Sequence, residues 1–166
     1  QREACDIVGV EHLTILDFPD GLVEYGIELR KAIAREIRAF QPDVVVSGAG
    51  QLQVDWGLDH ADHRAVGLAT IDAVRDAGNQ WLFTEQFHEG LTTWEAQTTL
   101  LTGTKPTHFV EVSQTSVDKA VASLAAHKEY LADIPDHPAP ADFVPQMLAD
   151  AGRSAGVDYA MAFAAH

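Results

Sequence analysis

Two helical patterns enclose a short, continuously apolar run, and that order of elements most restricts what this chain can become. From Leu22 to Phe40, the apolar residues Leu29, Ile33, Ile37 and Phe40 recur at three- and four-residue spacing, with Glu28, Arg30, Lys31, Arg35 and Arg38 on the opposite face. Gln41-Pro42 ends that helix. Val44-Val45-Val46 then reads as a parallel strand covered on both sides, since such strands lose the alternation of a half-exposed one. A second helix is predicted from about Ala65 to Ala77, with Val66, Ala69, Ala73 and Val74 inward and Gly78-Asn79 closing it. Helix, buried strand and helix in this order place the chain in the α/β class.

The remaining chain is consistent with that class. Gln1 to Val8 reads as the end of a helix capped by Gly9. His12 to Asp17 alternates like a strand, and Phe18-Pro19-Asp20-Gly21 has the composition of a turn. A long loop from Ser47 to Asp59 carries Gly48, Gly50, Gly57 and the large apolar Trp56, and a loop of this length after a strand usually belongs to a site. Trp81, Phe83, Phe87 and Trp94 either line a substrate mouth or cover the sheet, and core packing is the favoured reading. Strands follow at Ala96 to Leu101 and His108 to Val112, on either side of a turn from Thr102 to Pro106. Thr115-x-x-Asp118 resembles a capping box that opens a helix running to about Leu131. Ile134 to Pro145, with four prolines, is expected to be a surface connection, Gln146 to Ala155 a short helix, and Val157 to Phe163 an edge strand. No internal repeat or second domain is visible, so residues 1–166 are expected to form a single domain.

Composition removes several functions. The 166 residues are 46% apolar but contain no run near the ~20 residues that cross a bilayer, so no membrane span is expected. A formal charge of −14 repels phosphate backbones and argues against nucleic acid as a partner. A lone cysteine, Cys5, excludes an internal disulfide, which agrees with a reducing, cytoplasmic location.

The densest chemistry lies in His60-Ala61-Asp62-His63, two imidazoles and a carboxylate directly before the second helix. Neutral imidazole nitrogens serve as metal ligands or proton carriers, and a carboxylate beside them fixes the tautomer. Residues three apart share a helical face, so His60 and His63 can point into one cleft. A plainer reading also fits: Asp59 or Asp62 caps the helix and both histidines are solvated.

The context of this motif is distinctive. It follows Pro42-Asp43-Val44-Val45, continues as His60-Ala61-Asp62-His63-Arg64-Ala65-Val66-Gly67, and lies between Leu16-Asp17-Phe18-Pro19-Asp20-Gly21 and Pro106-Thr107-His108-Phe109-Val110-Glu111-Val112, with a later helix carrying Lys119 and His127. In this order the segments resemble the LmbE/PIG-L family of metal-dependent de-N-acetylases, whose second motif reads H-P-D-H-x-x-x-G after a strand of the P-D-V-V type. The resemblance implies a three-layer, Rossmann-like sandwich with a mostly parallel sheet. It also implies hydrolysis of the N-acetyl amide of an N-acetylglucosamine-type sugar conjugate with Zn2+ or another divalent transition metal. It makes His63 a metal ligand, and His60 an imidazolium that stabilises the oxyanion and protonates the amine. Asp62 orients His60, and Asp20 is the candidate carboxylate for the sugar hydroxyls. His127 is favoured as a structural histidine.

The chain departs from the family in two ways. The first motif, H-P-D-D-E, which supplies two ligands and the general base, is not found; Pro135-Asp136-His137-Pro138 has the wrong order and reads as a loop. The chain therefore matches roughly the C-terminal two thirds of the family, opening within a helix with the N-terminal strand or strands missing. A homo-oligomer or a complementary N-terminal fragment are its expected protein partners. Leu58 stands where several members carry a tyrosine. The alternative function is a non-catalytic α/β fragment or binding subunit with an incomplete metal site. A sugar-nucleotide-binding α/β domain, the other enzyme alternative, lacks the Gly-rich loop of the G-x-G-x-x-G kind that it needs.

Overall fold

The structure, a computed structural model, describes residues 1–54, 57–134 and 136–166; Trp56, expected in the site loop, lies outside the described residues. Among the described residues it is a mixed α/β fold of seven helices and six strands. It falls into two compact units, residues 1–15 with 109–162, and residues 16–108 with 163–166.

The second unit carries the motif. Its first helix, Ile27–Phe40, begins five residues later than periodicity predicts, because Gly26 is extended (φ −179°) and serves as N-cap. We number this helix α2, after α1 (Arg2–Val8) of the other unit, which ends as expected with Gly9 in the left-handed region. Strand β1 (Val44–Gly48) pairs in parallel with β4 (Thr98–Thr102), Val44 opposite Thr98 and Gly48 opposite Thr102. β6 (Ala160–Ala165) adds to β4 antiparallel, with Leu101 opposite Ala164. The sheet is thus mixed rather than mostly parallel, and β6 is no edge strand: it neighbours β4 here and β5 (His108–Glu111) in the first unit.

Between β1 and the long helix α3 (Ala61–Ala77), the expected loop contains a two-stranded ribbon, β2 (Gln53–Val54) against β3 (Gly57–Leu58). Residues 12–17 belong to no strand among the described residues. Leu13 and Ile15 of that segment are exposed, so their alternation marks no buried face.

Helices α2 and α3 pack together over one face of β1. Ala34, Ile37, Ala73 and Ala77 form a buried cluster against which Val45, Phe83 and Trp94 rest. Successive strand residues point to opposite faces, so Val44 and Val46 face away and are exposed, contrary to a strand covered on both sides. Trp81 is exposed as well, whereas Phe87, in the short helix α4 (Glu85–His88), lies under the Arg38 guanidinium, 4.7 Å from it.

Arg38, expected on the solvent face, is only 1% exposed. Its guanidinium donates to the carbonyls of Asp76, Ala77, Asn79, Leu82 and Phe83 and to Gln86 Oε1. It thereby satisfies carbonyls that the C-terminus of α3 leaves without helical partners. Burial holds its pKa below the usual arginine value. Beside it, Arg30 grips the buried Asp76 through two 2.8 Å bonds, a bidentate pair that fixes α2 against α3.

In the first unit, α5 (Gln114–Ala125) is capped by Ser113, whose Oγ accepts from Ser116 N, so Thr115 does not start it. It stops before His127, and α6 (Lys128–Asp133) follows. His127 is held by Ser123 O and Gln1 Oε1, as a structural histidine would be. The last helix, α7 (Pro140–Ala155), starts six residues before the predicted one and absorbs two of the four prolines, Pro140 in its first turn and Pro145 within it. It packs Val144 and Leu148 on Val117. Among the described residues no helix is long and apolar enough to cross a membrane.

Candidate active site

The close approach of α3 to β1 sets the position of the motif. Ala73 and Ala77 lie with Val45 early in β1, while Gly67 meets the backbone just past its end. A Cβ on Gly67 would stand 2.5 Å from Gly50 N and 2.8 Å from Gly48 O, so glycine is required there. The helix therefore runs antiparallel to β1, and its first turn, about two turns before Gly67, projects past the strand's carboxyl end. Open α/β sheets place their ligands at that end.

His60 is the N-cap of α3, a place the sequence reading offered to Asp59 or Asp62. Its Nδ1 accepts from Asp62 N at 3.2 Å. A ring that accepts at Nδ1 carries its proton on Nε2 and is neutral. This arrangement differs from the expected imidazolium, since a second proton would occupy the lone pair that caps the helix. His63 lies on the same side with ring centroids 5.6 Å apart, so the motif does bring both imidazoles together.

The carboxylates are distributed differently from expectation. Asp62 is buried, and its oxygens accept from Gly21 N at 2.6 Å and Val23 N at 3.1 Å rather than from His60. The turn from Pro19 to Leu22, closed by Leu22 N to Pro19 O with Gly21 at φ 79°, turns the amides of Gly21 and of Val23, just after it, toward α3, and they take both oxygens. Asp62 thus ties to the start of α3 the turn that bears Asp20, whose own side chain is exposed.

The carboxylate beside an imidazole is that of Asp59. Its Oδ1 accepts from His63 Nδ1 and from His60 N, each at 2.9 Å. The sequence reading considered Asp59 only as a cap; the spacing of four residues to His63 was the available signal. Since a carboxylate only accepts, His63 donates from Nδ1, and in the neutral ring this leaves the lone pair on Nε2. Arg64 donates to the Asp59 carbonyl, and Asp59 N donates to Leu52 O at 3.0 Å. Leu58, where several members of the resembled family have tyrosine, is exposed on the ribbon beside these groups.

A neutral imidazole whose Nδ1–H is held by a carboxylate is the usual state of a metal-ligating histidine, so His63 fits one ligand position of a divalent metal. Among the described residues no group of three or more His, Cys, Asp or Glu is placed to hold an ion alone.

Residues 1–74 match the model of the PIG-L family, described as GlcNAc-PI de-N-acetylase. Diacetylchitobiose deacetylase of Thermococcus kodakarensis is 29% identical over 135 residues, 81% of this chain and 49% of the relative. The chain thus spans about half the length of that curated relative. Among solved structures, N,N'-diacetylchitobiose deacetylase from Pyrococcus horikoshii superposes with a TM-score of 0.79 at 22% identity, over 99% of this chain and 61% of that one. The conserved protein TT1542 from Thermus thermophilus gives 0.79 at 24% identity, over 98% and 69%. GalB, the 4-carboxy-2-hydroxymuconate hydratase of Pseudomonas putida, gives 0.61 at 21%, over 98% and 67%. These structures share the fold, and a hydratase among them means the fold alone does not choose the chemistry.

Proposed function

From a chain whose first 74 residues match the PIG-L family, bearing out the resemblance read from its sequence, we propose hydrolysis of the N-acetyl amide of an N-acetylglucosamine-type sugar conjugate. The observation that carries this reading is the histidine pair at the first turn of α3. Both rings are engaged by the fold through Nδ1, which leaves each Nε2 for chemistry. The diacetylchitobiose deacetylase relative supports the choice of an N-acetylated sugar.

His63 Nε2 supplies one ligand to Zn2+ or a similar divalent ion, with the other ligands outside the described residues. Such an ion, when bound, lowers the pKa of its water toward ~7 and polarises the amide carbonyl. His60, neutral with its hydrogen on Nε2, donates that N–H to the carbonyl oxygen as it becomes negative. One such donor contributes about 3–4 kcal/mol to the transition state. Delivering a proton to the amine from the same ring would need Nδ1 protonated and the cap broken, so we assign His60 the oxyanion alone. Asp62 holds the turn from Pro19 to Leu22 in place, and Asp20 on that turn accepts from sugar hydroxyls. The buried free thiol of Cys5 supports action in the cytoplasm.

A second reading is favoured by the lack of a three-residue metal cluster among the described residues: a non-catalytic fragment or binding subunit. One experiment separates the two. Acetate release from N-acetylglucosamine and N,N'-diacetylchitobiose is measured together with zinc content, on protein carrying its complete ligand set. We expect His60→Ala to lower turnover with zinc retained, and His63→Ala to lose both. No release from either sugar by metal-loaded protein rejects the hydrolase, and equal zinc loss in the two variants rejects the division of roles.

A further inference from the structure

Asp59 has no part in the readings above except as a neighbour, yet its surroundings are built. Its side chain is 12% exposed while that of His63 is 70% exposed. Its backbone is pinned on both sides, N–H to Leu52 O and carbonyl to the Arg64 guanidinium. Oδ1 then accepts from His60 N and His63 Nδ1 at 2.9 Å each. A largely exposed histidine is otherwise free to turn about two side-chain bonds and to exchange between two neutral tautomers, one of which puts the hydrogen on the nitrogen a metal needs.

We propose that Asp59 is a positioning residue: it locks the His63 ring in one orientation and one tautomer, with Nε2 as the ligating lone pair. The same oxygen holds His60 N–H, so the two histidines share one reference point. A group that acts by orienting a ligand should be fixed more firmly than the ligand itself, and the exposures of Asp59 and His63 have that order. The inference rests on the reading of His63 as a metal ligand, but its first readout does not.

That readout is the side-chain nitrogen NMR spectrum of the histidines in the 166-residue chain, with His63 assigned through His63→Ala. The wild type should show hydrogen on Nδ1. Asp59→Ala should shift His63 toward a mixture of tautomers, and Asp59→Asn, whose amide oxygen is a weaker acceptor, should fall between. An unchanged tautomer in Asp59→Ala overturns the proposal; should that variant fail to fold, an unchanged tautomer in Asp59→Asn does so. Titration with Zn2+ alone, on protein carrying its complete ligand set, supplies the second readout. Loss of Asp59 should weaken binding about 10- to 100-fold, and His63→Ala should abolish it. Weakening by His63→Ala without weakening by either Asp59 variant overturns the role of Asp59. Unchanged binding in His63→Ala instead overturns the ligand reading and leaves the NMR result to judge the ring lock.

Discussion

Gly67→Ala tests whether the contact between α3 and β1 is what places the motif. In a helix interior this substitution normally stabilises by about 1 kcal/mol, because glycine loses more backbone entropy on folding. Here the new methyl would lie 2.5 Å from Gly50 N and 2.8 Å from both Gly48 O and Gly50 Cα. Comfortable contact begins near 3.5 Å, so α3 must withdraw by about 1 Å or the strand end must bend. All three obstructing atoms are backbone, so no side chain can rotate away. Overpacking of this kind costs about 1–3 kcal/mol, and a rigid wall puts it at the upper end. After the gain in helix propensity the net loss is about 2 kcal/mol, which for a chain of this size lowers Tm by about 4–8 °C. Circular dichroism melts and urea titrations measure it. Gly48→Ala is the control, since a Cβ there meets open space. Displacement of the first turn of α3 by ~1 Å should also cut turnover on the order of 100-fold in protein competent for hydrolysis. A Gly67→Ala variant more stable than wild type would refute the reasoning, because the propensity gain would then have met no steric opposition.

Three further outcomes are expected. Arg38→Met should destabilise by roughly 3–5 kcal/mol in urea titrations, since a buried guanidinium is removed from six acceptors; a loss under about 1 kcal/mol would mean those carbonyls find other partners. Asp62→Asn keeps one acceptor oxygen where two N–H groups now bind, so hydrogen exchange at Gly21 or Val23 should quicken while the His60 and His63 ring signals hold. Unchanged exchange at both amides would show that Asp62 does not hold the turn. Tyr25 donates its O–H to Asp72 at 2.5 Å, and this bond, with the negative charge of Asp72, keeps the phenol protonated above its ordinary value of 10. Stability from this contact is therefore present below pH 10 and lost as pH rises through the folded-state value; ultraviolet titration should show a tyrosine ionisation above 10 that disappears in Tyr25→Phe and moves to lower pH in Asp72→Asn.

Where one physical signal dominates, the sequence was legible. The apolar spacing of Leu29, Ile33 and Ile37 located α2, and Ala69 and Ala73 located α3, because burial of one helical stripe is what periodicity encodes. The start of α2 was misplaced because apolar residues continue back to Leu22, whereas a single extended glycine decides the boundary. Proline misled at α7. Pro140 fits a first turn, where its missing N–H costs nothing, and the penalty for Pro145 is outweighed by burial of Val144 and Leu148. The number of neighbours of a strand cannot be read from its own residues: alternation in residues 157–163 describes faces, and pairing on two edges is a property of the sheet. Arg38 was placed on the wrong side for a related reason, since helical faces are assigned by polarity and a buried guanidinium is explained only by the carbonyls that receive it.

The motif shows the same limit at the scale of single bonds. Its residue types pointed to two histidines and a nearby carboxylate, and the fold supplies all three. Which carboxylate serves which ring depended on a demand far away in sequence: the N–H groups of Gly21 and Val23 are turned toward α3 and need acceptors. Asp62, buried in the first turn, meets that demand with both oxygens, while His60 turns its Nδ1 to the Asp62 N–H as the helix cap. Asp59 lies before the cap, where no turn competes for it, and four residues from His63 it is in reach of the ring. Asp62 is thereby a residue of the turn and Asp59 a residue of the histidines, so exchanging their chemistry one at a time, carboxylate to amide, should disturb different atoms: turn amides for the first and the imidazole tautomer for the second. If Asp62→Asn moved the His63 tautomer and left the turn untouched, the bonding pattern assigned to the pair would be wrong.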